Sequence, residues 1–383
     1  MTVARLALLF LMLPPALGAQ TPSPADTATA RQPAVTPPLD FSGVLFANYQ
    51  YRSDEAAGSA NKFDLERVYL TFRIPAGQHL SVRVTTDVFQ QTSSSSDSYY
   101  KGWSIRAKYA YLQYNYWNGK EWQSSARAGL LQTVFIEHDE QFWPRWISPS
   151  PTDRAGYFSS ADAGLANTVS FPRKFGQLYT TITNGPGYTS RETDRFKDYA
   201  ARITLTPWAH DNKSILSGLA LSAWGYKGSI ASRFVNGGVG QQGAVGSGLA
   251  RDRWGVHAAS VHPRFTIGAE YAARHDEGET GNNTSGSPRE VVDSTGTLLS
   301  FYGVARPFMK AGADTHPLSL VARYDRLNSN TESDNKYEVI IAGVIWDLSK
   351  KASLSIDYQE NNPLDANSIA RAHTWFAHLI ARF

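Results

Sequence analysis

The chain contains no cysteine, and only three methionines in 383 residues. Without thiols there is no disulfide, no thiolate metal site, no cysteine nucleophile and no lipidated N-terminal cysteine. A charge bias is also missing. Lys and Arg number 37 against 34 Asp and Glu, a formal net charge of +3, so no basic surface points to nucleic acid. Nor is there a long hydrophobic run. A membrane-spanning helix needs about 20 consecutive apolar residues, and nothing beyond the first twenty positions approaches that length.

The one apolar run near the start has a different meaning. Arg5 precedes the apolar residues 6–13, followed by Pro14, Pro15 and the small-residue stretch 16–20. A charged start, a short apolar core and a small-residue end read as a cleaved secretory signal over residues 1–19. Residues 20–39, rich in Pro, Ala and Thr, have little to bury and read as a disordered periplasmic tether. The mature chain is therefore expected to be exported, and a membrane location would require strands.

Aromatic residues, in contrast, are abundant. They make up 12% of the chain, with 19 Tyr, 18 Phe and 10 Trp, and Tyr and Trp favour sites with one apolar and one wet side. From Asp40 to the last residue, segments of alternating character follow one another. In residues 68–74 the even positions Val68, Leu70, Phe72 and Ile74 are apolar, while Tyr69, Thr71 and Arg73 alternate with them. Residues 80–88 set Leu and Val against Ser, Arg, Thr and Asp, and residues 318–325 repeat the pattern around Arg323 and Asp325. Side chains on a strand point alternately to opposite faces, so each segment has one greasy and one wet face.

These segments are longer than the five or six residues of a soluble sandwich strand, and they match the roughly nine to eleven needed to cross a bilayer at a tilt. Tight links at 75–78, 118–121, 172–174 and 349–351 take turns with longer ones at 91–102, 135–160, 227–250 and 277–294. Short turns at one end and long loops at the other are the layout of an outer-membrane barrel. The expected fold is all-β: an antiparallel transmembrane β-barrel over residues 40–383, with about 16 strands and an inward-folded third loop. The spacing predicts strands at 40–52, 63–74, 79–90, 103–117, 122–134, 162–171, 175–185 and 197–207, then 214–226, 251–262, 264–276, 296–307, 317–327, 336–348, 352–361 and 371–383. An even count places both chain ends on the periplasmic side.

The last strand ends on Phe383, and its face of Trp375, Ala377, Leu379, Ala381 and Phe383 is wholly apolar. No unpaired backbone edge survives in lipid, so this strand must pair with the first. A terminal aromatic after alternating apolar residues is similar to the sorting signal read by barrel-assembly machinery, which makes Phe383 the candidate assembly signal.

Three stretches resemble the sixteen-stranded porin family typified by the phosphate-selective porins O and P. Residues 63–73 (FDLERVYLTFR) are similar to that family's early strand, residues 82–89 (VRVTTDVF) to its third, and residues 128–137 (AGLLQTVFIE) to the approach to its third loop. Where anion-selective relatives carry a basic residue in this last stretch, Gln132 stands here. The resemblance implies an outer-membrane protein that passes small solutes or inorganic ions by passive diffusion, with an anion preference. It also implies a homotrimer embedded in outer-membrane lipid. No cofactor, metal or catalytic residue is expected.

A barrel of this size encloses water, so selectivity needs something folded into the lumen. The loop 135–160 is the candidate. It carries Glu137, Asp139, Glu140, Arg145, Asp153 and Arg154, beside the rings of Phe142, Trp143, Trp146, Tyr157 and Phe158 that an exposed loop would have little use for. By alternation, Arg67, Arg73, Arg83, Asp87, Arg127, Arg202, Arg253, Arg274 and Arg323 face inward as a charged pore wall. Arg keeps its charge, and rings of charge set channel selectivity. Enzyme signatures are weak. His257 and His262, like His373 and His378, are five apart and fall on opposite strand faces. A G-x-G-x-x-G match at residues 238–243 lacks the strand and helix a dinucleotide site requires. The alternatives are an outer-membrane barrel enzyme and a structural or adhesive barrel.

Overall fold

The computed structural model describes residues 39–52, 61–90, 102–212, 214–231, 248–281, 290–309, 315, 317–333, 335–365 and 369–383. The expected signal and nearly all of the expected tether lie outside these residues, as does the glycine motif at 238–243. Sixteen antiparallel strands form one closed barrel. They are β1 (Asp40–Arg52), β2 (Asn61–Pro75), β3 (Leu80–Gln90), β4 (Trp103–Asn118), β5 (Gln123–Gln132), β6 (Ala161–Ser170), β7 (Gly176–Thr183) and β8 (Asp198–Leu205). There follow β9 (Leu219–Ala231), β10 (Gly248–His262), β11 (Phe265–Thr280), β12 (Glu290–Ala305), β13 (Ser319–Asn328), β14 (Lys336–Ser349), β15 (Ala352–Pro363) and β16 (Ala372–Arg382). Two short helices, α1 (Ile136–Asp139) and α2 (Pro151–Arg154), lie between β5 and β6.

Alternation carries the barrel. In β13 the burial of SLVARYDRLN switches at nearly every residue, with Val321, Arg323 and Asp325 inside and Leu320 outside. The outward set is apolar around the ring, including Ile105, Leu165, Trp254, Phe301, Ile356 and Trp375. The seam closes at the final residue: the Phe383 amide donates to the Gly43 carbonyl at 3.0 Å, and the Gly43 amide to the Phe383 carbonyl at 2.8 Å. β1 and β16 then pair from Val44↔Arg382 to Arg52↔Thr374, which leaves no open edge. The Phe383 ring, half exposed on the outer face, covers Gly43, where any side chain would collide with it.

Two strand expectations need correction. The ninth strand, expected at 214–226, runs from Leu219 to Ala231. Ile215 and Leu216 read as its start, yet they lie in a turn closed by the Ser217 amide on the Ser214 carbonyl, and the strand begins only after Gly218. Strands β10, β11 and β12 also extend past their expected ends, pairing as far as Thr280↔Glu290. The added residues mix polar ones such as Glu277, Glu279 and Asp293 with Leu249, Val291 and Val292, in no regular alternation. Apolar alternation is demanded only where lipid wets the outer face, so a sheet that continues beyond it loses the signal.

Close strand approach makes one glycine position decisive. A Cβ on Gly164 would lie 2.1 Å from the Ile182 carbonyl oxygen across the β6–β7 pair. Gly164→Val is therefore expected to abolish the compact, heat-modifiable species on electrophoresis. A retained species would show that β6 and β7 can separate without loss of closure.

Candidate functional site

Two irregularities in the strands prepare the site. A bulge in β2 falls opposite Phe46/Ala47, where Phe46 pairs with Arg67 and Ala47 with Leu65, so Glu66 is the extra residue. A second bulge lies in β4, where Thr85 pairs with Tyr109 and Thr86 with Ala107, which leaves Lys108 extra. A bulge shifts the side-chain alternation by one and re-aims a residue. Glu66 therefore follows the inner-face parity of the upper half of β2, while Arg67 follows that of the lower half. In β4, Arg106 and Lys108 point inward above the bulge, and Tyr109 and Tyr111 below it. Strict alternation missed Glu66, Arg106 and Lys108 for this reason. The signal that could have found them is the broken period itself, since neither strand keeps one parity from end to end.

The segment between β5 and β6 crosses the interior and touches the wall on many sides. Its rings are buried: Phe135, Phe142, Trp143, Trp146, Tyr157 and Phe158 all belong to the core cluster. Trp143 is 1% exposed and donates its Nε1 to the Ser148 carbonyl at 2.8 Å, with Tyr302 edge-on at 5.6 Å. Phe158 packs on Trp224 of β9 at 4.8 Å. The Tyr157 hydroxyl donates to the Ala272 carbonyl of β11 at 3.2 Å. Pro151 opens α2, where its lack of an N–H costs nothing.

Four of the expected wall arginines hold this segment by its backbone. Arg202 donates to the Val134 carbonyl at 2.7 Å, Arg323 to Pro149 at 2.5 Å and Arg274 to Ala155 at 3.4 Å, and Arg253 donates to Tyr157. Irregular backbone inside a barrel must have its carbonyls satisfied, and a guanidinium offers several fixed donors at once. Arg127 braces the start of the segment through Gln132 at 3.2 Å and bonds Gln113 at 2.9 Å. These five residues face inward, but they are engaged by the crossing segment or its root.

The other wall residues expected from the sequence lie on β2 and β3, beside charges of β1 and β4. Arg67 and Arg106 both pair with the fully buried Asp87, at 3.3 and 2.8 Å. Arg83 reaches Glu137 of α1 at 3.0 Å and lies over the Tyr109 ring. Arg73 pairs with Asp40 at 3.3 Å near the barrel end that carries both Asp40 and Phe383. Lys108 is 5% exposed, with its ammonium over the Tyr69 ring at 4.3 Å.

Arg145 connects the crossing segment to this wall. Its guanidinium lies 3.2 Å from Glu66, 3.3 Å from Glu140 and 3.8 Å from Asp153. Burial alone would push the Arg145 guanidinium down, yet Tyr69 and the carboxylates of Asp153, Glu66 and Glu140 together raise it. Glu140 is pushed up because its burial outweighs the pull of Lys108 and Arg145. Asp139 does not join this group. It turns the other way, fully buried, and accepts from the Tyr302 hydroxyl of β12 at 3.1 Å. Arg154 donates to Asn361 at 2.7 Å, Ser148 at 3.0 Å and Gln359 at 3.3 Å, and burial beside Arg323 lowers its pKa.

A cavity lies on each side of the Arg145–Glu66 contact. One, of about 340 Å³, is lined by Asn48, Gln50, Arg52, Glu66, Arg154 and Asn361 among others. The second, of about 430 Å³ and nearer the Asp40–Phe383 end, is lined by residues that include Arg73, Arg83, Lys108, Glu137, Glu140, Arg145 and Arg382. A chain of charges thus separates two polar chambers between the segment and the β1–β4 wall.

No family model and no curated protein matches this sequence. Solved structures share the architecture. An anion-selective porin from Comamonas acidovorans superposes with a TM-score of 0.60 at 11% identity, over 90% of this chain and 99% of that one. OmpF of Salmonella typhi, in complex with daunomycin, gives 0.59 at 13% identity over 90% and 97%. The in-vitro folded outer-membrane protein OmpT of Vibrio cholerae, in its trimer form, gives 0.55 at 12% identity over 90% and 99%. At such identities the likeness is one of fold: this chain folds as a sixteen-stranded barrel of the kind these outer-membrane proteins share.

Proposed function

We propose that this chain is an outer-membrane porin, giving small hydrophilic solutes and inorganic ions a passive, water-filled path with a preference for anions. The pair of polar chambers meeting at Arg145 carries this reading. Seven cationic side chains line them (Arg52, Arg73, Arg83, Lys108, Arg145, Arg154 and Arg382) against the three carboxylates Glu66, Glu137 and Glu140. An excess of fixed positive charge along a narrow passage raises the local anion concentration and repels cations. Arg67, Arg106 and Asp87 extend the same face. In this reading Glu137, Glu140, Arg145, Asp153 and Arg154 belong to the constriction, Arg202, Arg253, Arg274 and Arg323 keep it in place, and Phe383 serves assembly.

The finer kinship with phosphate-selective porins rests on β2, β3 and the end of β5. Gln132 accepts from Arg127 and donates to Tyr111. The position therefore presents a neutral amide, which favours small anions in general over a phosphate-specific site. A homotrimer embedded in outer-membrane lipid is part of the proposal, supported by the apolar outer face and by the trimer form of OmpT.

Among the described residues, a histidine–serine contact of the kind that could serve hydrolysis also favours a passive role. His138 Nε2 lies 2.9 Å from the Ser222 hydroxyl. Burial, with Arg202 and His257 nearby, pushes the His138 pKa down to about 2. A ring held so strongly neutral is a poor general base for the serine at neutral pH.

Planar-bilayer recording of the refolded mature protein tests the proposal. Stable current steps are expected, with a reversal potential of anion-selective sign under a salt gradient. A folded barrel that passes no current would overturn it and favour a barrel enzyme or an adhesive barrel.

A further inference from the structure

The chamber of about 340 Å³ is built unlike its basic neighbour. Its wall comes from β1, β16 and β15, which are adjacent in the ring, and register fixes one patch of their inner faces. Phe376 sits opposite Gln50 of β1 and Asp357 of β15, while Thr374 sits opposite Arg52 and Gln359. His378 follows, opposite Asn48. Alternation puts Phe376 on the water side, since Trp375 and Ala377 on either side of it are exposed on the outer face.

A phenylalanine there has no lipid to cover it. Phe46 and Tyr302, also turned inward, are buried in the core that includes the rings of the crossing segment. Phe376 is instead half-buried and lines the chamber, its ring nearly parallel to that of His378 with centroids 4.9 Å apart. Trp146 of the segment meets His378 edge-on at 6.2 Å and holds the pair in place.

Around this ring stand neutral hydrogen-bonding groups. Gln50 Nε2 donates to Asn48 Oδ1 at 2.9 Å, and Arg154 donates to the side-chain oxygens of Gln359 and Asn361 at 3.3 and 2.7 Å. Gln359 in turn donates to the Ile147 carbonyl at 2.9 Å. With their oxygens occupied, Asn48 and Asn361 present amide donors, and Gln50, with its nitrogen occupied, presents an acceptor. Thr374 adds a hydroxyl that can do either. Charge alone would serve an ion. Donors and acceptors set around an apolar ring match hydroxyl groups set around a C–H face. An aromatic surface with a few placed polar groups, in about 300–1,000 Å³, is the usual make-up of a small-molecule site.

We propose that this chamber binds the pyranose ring of a sugar or sugar acid, with Phe376 under the C–H face and Asn48, Gln50, Asn361 and Thr374 on the hydroxyls. Arg154 acts as a positioning residue for the amides of Gln359 and Asn361. The inference names a solute class for the proposed pore, so passage rests on that reading while binding does not. Arg52 and Arg154 outnumber Glu66, which Arg145 already pairs, so a sugar acid binds more tightly than the neutral sugar.

Calorimetric titration of the refolded mature protein, in a detergent without a sugar headgroup, tests binding of glucuronate, glucose and acetate. Saturable binding of glucuronate, weaker binding of glucose and none of acetate are expected. Phe376→Ala should weaken glucuronate about tenfold, and Asn361→Ala about fivefold, the order of one hydrogen bond. Phe376→Trp should retain binding, and Asn361→Ala carries the test should Phe376→Ala fail to fold. In the bilayer, glucuronate should block the current at the concentrations that saturate the site. Acetate binding as tightly as glucuronate would reveal a general anion site and overturn the proposal, as would full affinity in the folded alanine variants. Saturable sugar binding without current sinks the porin reading and leaves the site standing. Current without calorimetric binding does the reverse.

Discussion

In the proposed porin, Arg145→Ala is expected to weaken the preference for anions roughly fivefold. The guanidinium neutralises Glu66 from β2 and Glu140 and Asp153 from the crossing segment, all within 3.8 Å. Without it, these three carboxylates lose their shared counter-charge, while Lys108 still faces Glu140. One unit charge at about 4 Å in water is worth about 1 kcal/mol to a passing ion, roughly fivefold in relative permeability. The reversal potential under a salt gradient should therefore shift toward the cation-selective side without changing sign, since six cations still line the chambers, and unitary current should rise because the bridge to Glu66 is gone. Arg145→Lys, which keeps the charge but loses the planar fork, should leave the reversal potential near the wild-type value. If Arg145→Ala left the reversal potential unchanged, ions would have to pass elsewhere in the barrel.

Trp143→Ala should have the largest effect on stability and on conductance together. The indole is almost wholly enclosed, beside Tyr302, beneath Arg323 at 5.0 Å, and bonded to the Ser148 carbonyl. Truncating a buried Trp costs about 3–5 kcal/mol, more than any single hydrogen bond in the segment. The loss falls on docking of the segment, because the barrel ladders do not involve this residue. Denaturant unfolding should show an early loss of segment packing, and bilayer recordings should show larger, noisier steps. Trp254→Ala, on the lipid-facing side, is the control and should leave conductance as it was. Equal conductance in Trp143→Ala and wild type would show that the segment does not limit flow.

Much of this was legible in the chain. Residues 68–74 and 318–325 announced their faces because lipid outside and water inside impose opposite demands on neighbouring side chains. The rings of 142–158 announced a buried segment because Phe142, Trp143, Trp146, Tyr157 and Phe158 have no reason to cluster in solvent. Less visible was anything that breaks the period. Glu66 and Lys108 sit at bulges, and a count of odd and even positions assigns them from the wrong half of the strand. The far ends of β10 to β12 were hidden because Leu249, Val291 and Val292 are mixed with polar residues there in no regular alternation.

The sequence by itself determined the barrel, its strand number and the segment that enters it, since a period of two and the spacing of turns are local properties and lipid tolerates no open edge. Which charges meet was decided by the tertiary structure alone. Arg145 finds Glu66 across 79 positions of chain, and Arg323 finds the Pro149 carbonyl across 174. Those partners are chosen by the bulges and by where the aromatic rings of the segment settle against the wall. Asp139 and Arg145, six positions apart in one acidic-basic stretch, consequently face opposite sides of the lumen.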